Sequence, residues 1–315
     1  MKKKWFALLM TTVLAMVLVA CAPKESAVKS SASSKTTTTH LTLGTMPAPD
    51  SLPLYVAKQE GLFKAQKLDV DLQNFKSPKD RDTAIAGGQL DGAVSDIIAF
   101  TTYVNGKLGW KIGSGLTGYF GIVTNDDAVK SVADLKGKSV ALLPRQTPQF
   151  YLNQELAKAD LPASSVTVKE VPQIPVRLQL VEQKQVTATV LPDPFLSMAK
   201  AAGLHVLAQS NPKTYQTTIM AFNKKISADA SVRARFYKAY NQAVALINRH
   251  SAKDYAAILK QLGYPENAIA KTKLPKYTKA TPISDKTLGD AFNYAYAQQI
   301  LKQEVDPESY QLPLK

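Results

Sequence analysis

From residue 41 onward the chain alternates short aliphatic and β-branched runs with longer amphipathic stretches. Residues 41–45 read as a strand, and 51–64 as a helix with Leu54, Ala57 and Leu62 on its apolar side. Residues 68–72 set Leu68, Val70 and Leu72 on one face, the period-two pattern of a strand. The alternation continues with a helix at 78–87, a strand at 92–95, a helix at 97–104, a strand at 110–117 and a second strand at 119–124 running directly on. It begins afresh at residue 131. There a short helix stopped at Gly137 precedes strand 139–143, helix 148–159, strand 166–171, helix 175–183, strand 187–191, helix 194–202 and strand 205–208.

After a further strand at 217–222 the character changes. Residues 227–303 read as helices only, at 230–249, 252–262, 267–271 and 284–303. Phe236, Tyr240, Val244, Ile247, Tyr255, Ile258 and Leu262, then Phe292, Tyr296 and Ile300, recur at helical spacing and are expected to be core. Strands alternating with helices of this length predict an α/β fold on parallel sheets with right-handed crossovers. The expected layout is two α/β lobes: residues 41–120 with 217–315 form the first, and 121–216 the second. The helical C-terminal tail returns to cover the first lobe. The extended runs 119–124 and 217–222 join the lobes, and two such joins over a cleft make a hinge.

The amino terminus has a different pattern. Lys2, Lys3 and Lys4 precede residues 5–20, which carry no charge. Sixteen residues make about 24 Å of helix, short of a bilayer core of about 30 Å, so residues 1–20 read as a secretory signal rather than a permanent span. The run ends in Leu18-Val19-Ala20-Cys21, and Cys21 is the only cysteine. The segment resembles a bacterial lipoprotein signal. That resemblance implies cleavage before Cys21, a diacylglyceryl thioether on its sulfur with acyl chains of the palmitate type, and an extracytoplasmic protein anchored by lipid to the cell membrane. Residues 21–40 are rich in Ser, Thr and Lys and read as a flexible tether.

Composition narrows the chemistry. Of 315 residues, 45 % are hydrophobic and 20 % charged, which is globular composition. A single cysteine excludes a disulfide framework, a zinc ribbon and a thiol redox pair, and three histidines leave little for a His-based metal centre. No cofactor and no metal are expected. The formal charge of +14 invites a nucleic-acid reading. Yet the lysines are spread along the chain and no arginine–aromatic cluster of the single-strand-binding kind occurs, so a solvated basic surface is the better reading.

In open α/β sheets ligands sit beyond the carboxyl ends of the strands. That rule nominates Met46, Pro47, Asp50 and Ser51 after the first strand, and Ser95 and Asp96 after the third. In the second lobe it nominates Gln146, Thr147, Gln149 and Phe150, then Asp193 and Phe195. Ser77-Pro78, Thr147-Pro148 and Asp193-Pro194 each place a capping side chain before a proline. Helices should therefore start at the cleft, with free N–H groups able to hold an anionic or carbonyl oxygen. Arg81 and Arg145 can pair with an anion, while Tyr119, Phe120, Phe150, Tyr151 and Phe195 can stack on a flat ring. A planar ring and an anionic head both remain open.

Residues 54–64 (LYVAKQEGLFK), followed by 68–72 (LDVDL), resemble the amino-terminal signature of ABC-transporter solute-binding proteins of the nitrate/sulfonate/taurine and thiamine-pyrimidine-precursor group. Residues 84–93 (AIAGGQLDGA) and 132–138 (VADLKGK) resemble that group's next landmarks. The resemblance implies a type II periplasmic-binding-protein fold and a monomeric receptor that closes on one small-molecule solute. It also implies an ABC permease and ATPase as partners, with no catalysis. By the same resemblance the turns nominated above match the group's ligand-contacting loops. Met46, Pro47 and Pro49 depart from the small polar residues of sulfonate binders and favour a pyrimidine-like or other heterocyclic solute over a sulfonate or nitrate-type anion. The alternative is an enzyme of the thiamine-pyrimidine-synthesis type on the same fold, whose cysteine-rich motif is absent here. Cys21→Ser is expected to move the protein from the membrane to the soluble fraction without altering solute affinity. Fractionation and a binding assay check this, and continued membrane attachment contradicts the lipoprotein assignment.

Overall fold

The computed structural model describes residues 38–211, 215–270 and 272–314. The signal segment, Cys21 and all but the last three residues of the expected tether lie outside the described residues. Among the described residues, ten strands form two five-stranded sheets. They are β1 (Thr39–Thr45), β2 (Leu68–Asn74), β3 (Gly92–Asp96), β4 (Lys111–Gly115), β5 (Phe120–Thr124), β6 (Ser139–Leu142), β7 (Thr167–Glu170), β8 (Ala188–Pro192), β9 (His205–Gln209) and β10 (Thr218–Phe222). The first sheet has the order β2-β1-β3-β10-β4 and the second β7-β6-β8-β5-β9. Thr39 and His40, expected to end the tether, instead open β1 and pair with Leu68 and Asp69.

Both sheets are mixed, where the alternating pattern predicts parallel ones. β1 runs parallel to β2 and β3, and β6 to β7 and β8. β10 lies antiparallel between β3 and β4, and β5 antiparallel between β8 and β9. The reason is topological. The chain leaves the first sheet between β4 and β5 and returns between β9 and β10, and each arriving strand enters the middle of a sheet with no crossover helix before it. Parallel neighbours consecutive in sequence need such a crossover. Both inserted strands are apolar along almost their whole length, as strands covered on both faces must be.

Alternation along β10 shows how the first sheet is covered. Met220 and Phe222 face one apolar cluster and Ile219 and Ala221 the other. The carboxy-terminal helices divide between these faces. Ala230–Ile247 packs with Leu52–Gln59 and Leu62–Ala65 on one side, and Asp285–Ala297 packs with Ile97–Asn105 on the other. The stripe behaves as expected, with Phe236, Tyr240, Val244 and Ile247 buried, except that Tyr296, in the last turn of its helix, is 46 % exposed.

Several helices are shorter than their patterns suggest. The helix expected over 51–64 is two, Leu52–Gln59 and Leu62–Ala65, parted by Gly61 at φ +67°. The helix expected over 284–303 ends at Ala297, and Gln299 at φ +54° turns the chain away. The carboxy-terminal region is not helical throughout. Residues 272–283 form no helix, and Thr281 bridges to Gly115. Pro275 and Pro282 lack the N–H of a helix ladder and push their predecessors out of the helical region.

Phe236 anchors the larger core. It stacks on Phe63 with centroids 5.6 Å apart and meets Phe222 edge-on at 5.3 Å. Phe236→Ala is expected to cost about 3–5 kcal/mol of unfolding free energy, read by chemical denaturation, because the surrounding rings cannot collapse into the gap.

Candidate ligand-binding cleft

The two sheets face each other across a cavity of about 60 Å³. The first sheet supplies Met46 after β1, Ser95 and Asp96 at the end of β3, and Thr218 at the start of β10. The second supplies Phe120 at the start of β5 and Pro192 at the end of β8. The antiparallel strands thus present their amino ends to the same space that parallel strands reach with their carboxyl ends. Tyr119, Ile174, Arg177 and several prolines complete the walls.

Asp96 is the joint between the two sides. Its Oδ1 accepts from the N–H groups of Ile98 (3.0 Å) and Ala99 (2.8 Å), capping the helix Ile97–Asn105. The same oxygen accepts from Thr147 N (3.1 Å) and Thr147 Oγ1 (2.7 Å), which belong to the opposite lobe. Burial raises the Asp96 pKa, while Arg81 and these donors work against that rise. A second cross-link lies alongside, in which Gln146 Nε2 donates to Asp82 Oδ2 at 2.8 Å.

Arg81 is buried and neutralised in place. Its Nε donates to Asp82 Oδ1 at 2.9 Å and Nη1 to Val94 O at 3.3 Å. Nη2 lies 2.8 Å from the same Asp82 oxygen without hydrogen-bond alignment, so that contact is ionic only. Burial alone would lower the Arg81 pKa, but Asp82, Tyr103 and Asp96 raise it above the ordinary arginine value.

Two further ionisable groups line the cavity and, among the described residues, have no ion-pair partner. Asp50 is 8 % exposed and accepts from Ser51 Oγ, at 3.2 Å, and the Ser51 backbone also pulls on it. Desolvation pushes its pKa up to about 7, against the pull of Ser51 and Arg81. Arg177 is 1 % exposed, and burial lowers its pKa to about 10. Its Nε donates to Val171 O at 2.7 Å and its Nη2 to Pro172 O at 3.1 Å. Arg177 did not emerge from the turn rule because it lies inside the helix Ile174–Glu182. The signal was present, since Arg177 interrupts the apolar stripe formed by Ile174, Leu178 and Val181.

The nominated residues divide. Met46, Asp50, Ser95 and Asp96 line the cavity. Ser51 braces the first turn, accepting from Met46 N at 3.2 Å while donating to Asp50. Pro47 is buried and lies toward Gly263 instead. Thr147 and Gln146 bridge the lobes rather than line the cavity. Gln149 secures its own turn by accepting from Arg145 N at 2.8 Å. Phe150 packs on Tyr294 with centroids 4.7 Å apart, and Phe195 packs in the core of the second lobe. Asp193 accepts from Tyr119 Oη and from Ser197 N (2.8 Å) and Oγ (2.9 Å), and faces a separate cavity lined also by Lys200 and Lys273.

The expectation of free N–H groups at the cleft fails for a related reason. Ser77 caps as expected, accepting from Asp80 N at 3.2 Å. Thr147, however, is the first residue of its helix and caps nothing, and its N–H goes to Asp96. Asp193 takes Ser197 N. Three helix-start donors, Asp80 N, Thr147 N and Ser197 N, are thus already used by side chains of the chain.

Because Asp50 retains its proton to about pH 7 in the folded chain and loses it near 4 when unfolded, the folded state holds the extra proton between those values. Stability should fall as pH rises through that window. Asp50→Asn is expected to raise the melting temperature of the unliganded protein by a few degrees at pH 8, with the gain vanishing near pH 4. Calorimetric scans at the two pH values check this, and a gain independent of pH refutes it.

Comparison with solved structures places this geometry among known folds. The alkanesulfonate-binding protein SsuA from Xanthomonas axonopodis pv. citri, bound to MOPS, superposes with a TM-score of 0.75 at 20 % identity, covering 87 % of this chain and 98 % of that one. The periplasmic nitrate-binding protein NrtA from Synechocystis PCC 6803 gives 0.63 at 15 %, covering 78 % and 74 %. The desulfurization enzyme DSZB gives 0.61 at 12 %, covering 87 % and 96 %. The fold is that of the type II periplasmic binding proteins. No curated protein matches the sequence. The NMT1/THI5-like family matches residues 48–253, more than half of the chain, and the chain therefore belongs to that family.

Proposed function

We propose that this protein is the extracytoplasmic solute receptor of an ABC importer, anchored through a lipid on Cys21. Residues 1–20 are the signal and the segment from Cys21 to the start of β1 is the tether. Residues 41–120 with 217–315 form one lobe and 121–216 the other. The receptor acts as a monomer, closes these lobes on a small organic solute and presents it to the permease. The observation that carries this reading is the cavity itself, enclosed by residues of both sheets and bridged by Asp96–Thr147 and Asp82–Gln146. Opening the lobes separates both pairs, and a solute that fills the cavity favours the closed arrangement.

The cavity walls are largely apolar, with a few convergent polar groups, as small-molecule sites are. Tyr119 and Phe120 suit a flat ring and Arg177 suits an anionic head, so heterocycles and sulfonate-type anions are both candidate solutes. The enzyme reading draws on the fold shared with a desulfurization enzyme. Against it, the lone cysteine is Cys21, so the cysteine-rich motif of the thiamine-pyrimidine-synthesis type is absent.

A thermal-shift screen over pyrimidines, sulfonates, carboxylates and amino acids tests the proposal. A solute at about 100 times its dissociation constant stabilises by about 2.7 kcal/mol. At least one class is expected to raise the melting temperature. A screen in which no class does so, or turnover of a bound compound by the purified protein, overturns the reading.

A further inference from the structure

The helix Thr147–Lys158 of the second lobe buries apolar side chains in two different cores. Tyr151, Leu152 and Leu156 join Val140 and Val190 in a cluster of their own lobe. Phe150 does not. It is buried in the cluster of Ile97, Phe100 and Phe292, and every other buried member of that cluster belongs to the first lobe. A second-lobe ring thus sits in a first-lobe core.

The seat is specific. Tyr294, on the first-lobe helix Asp285–Ala297, lies against Phe150 with ring centroids 4.7 Å apart. Asn153 shares a helix face with Phe150, three residues on, and its Nδ2 donates to Tyr294 Oη at 2.9 Å. Farther along the same face, Gln154 and Ala157 line an open groove with Thr287 and Asp290 of the facing helix. Phe150 is therefore where the two helices are pinned. The exchange is reciprocal, since Met46 and Ala48 of the first lobe are buried in a second-lobe cluster. Those two line the cavity between the sheets, whereas Phe150, Asn153 and Tyr294 do not.

Parting the lobes must withdraw the ring into water, uncover the cluster it leaves and break the Asn153–Tyr294 bond. Exposing a buried phenylalanine side chain moves an equilibrium by roughly ten- to a hundredfold. That weight acts whether or not a solute is present. We propose that Phe150 is a clasp, which holds the lobes closed without solute and so governs how readily any solute enters and leaves, without touching it. This rests on the receptor reading and adds to it a positioning residue, acting through Tyr294 and Asn153 on the balance between open and closed lobes.

Distances between paired spin labels on the solute-free full chain test it. Labels go on Ala86→Cys and Glu182→Cys, the exposed last residues of the helices Pro78–Ala86 and Ile174–Glu182, one in each lobe. Cys21→Ser in every protein removes the native thiol. The parent is expected to show one dominant distance. Phe150→Ala and Tyr294→Ala are each expected to raise the ratio of open to closed lobes about tenfold or more, seen as growth of a second, longer distance. Phe150→Leu, which keeps an apolar side chain in the seat, and Asn153→Ala, which removes the hydrogen bond alone, are expected to raise it less. Melting curves verify folding, and the Tyr294 arm stands even if Phe150→Ala fails to fold. Folded Phe150→Ala or Tyr294→Ala protein that melts lower with an unchanged distance distribution has lost only core packing, and that result overturns the clasp. A parent already mainly at the longer distance does the same. Either result, beside a solute that stabilises the protein in the broad screen, leaves the receptor reading intact. Failure of every solute in that screen instead removes the reading on which the clasp rests.

Discussion

Asp96 imposes the constraint on which the arrangement of the cleft depends. A carboxylate buried at the end of a strand must find donors or lose its charge. Asp96 finds two in the helix that follows it and two more in Thr147 of the opposite lobe. One side chain therefore ends β3, starts a helix and ties the two lobes together. Arg81, backed by Asp82, lowers the cost of that charge from behind. With the cross-lobe donors taken up in this way, the cavity is left with few polar groups free of such ties.

The sheets explain how these groups meet. Each contains one strand that arrives from the other sheet and enters antiparallel. At the cleft edge this puts the amino ends of β5 and β10 beside the carboxyl ends of β1, β3 and β8. Phe120 and Thr218 therefore line the same space as Met46, Ser95 and Pro192. The two chain crossings adjoin that space, since Tyr119, Phe120 and Thr218 beside them line it. The carboxy-terminal helices clamp both faces of the first sheet, so one lobe is thick and well covered while the second has its own smaller core.

Much of the fold was legible in the chain, and the site only in part. The positions of the ten strands follow from aliphatic runs within two residues or so at each end. The stripe Phe236, Tyr240, Val244 and Ile247 is buried as its spacing requires. The turns after β1 and β3 do deliver Met46, Asp50, Ser95 and Asp96 to the cavity. The turn 146–150 reaches the same region, but Thr147 and Gln146 bond across the lobes and Phe150 points into a core. Loop position told where these residues are, and not whether another part of the chain satisfies them.

The sequence by itself determined the local elements, the boundaries that proline and glycine impose, and the apolar faces that must be covered, because each depends on neighbours a few residues away. Only the tertiary structure decided the direction of β5 and β10, the occupation of Asp96 by a threonine fifty-one positions distant, and the burial of Asp50 and Arg177 beside one cavity. Strand direction and charge compensation are settled through space, between segments whose separation along the chain carries no signal of their meeting.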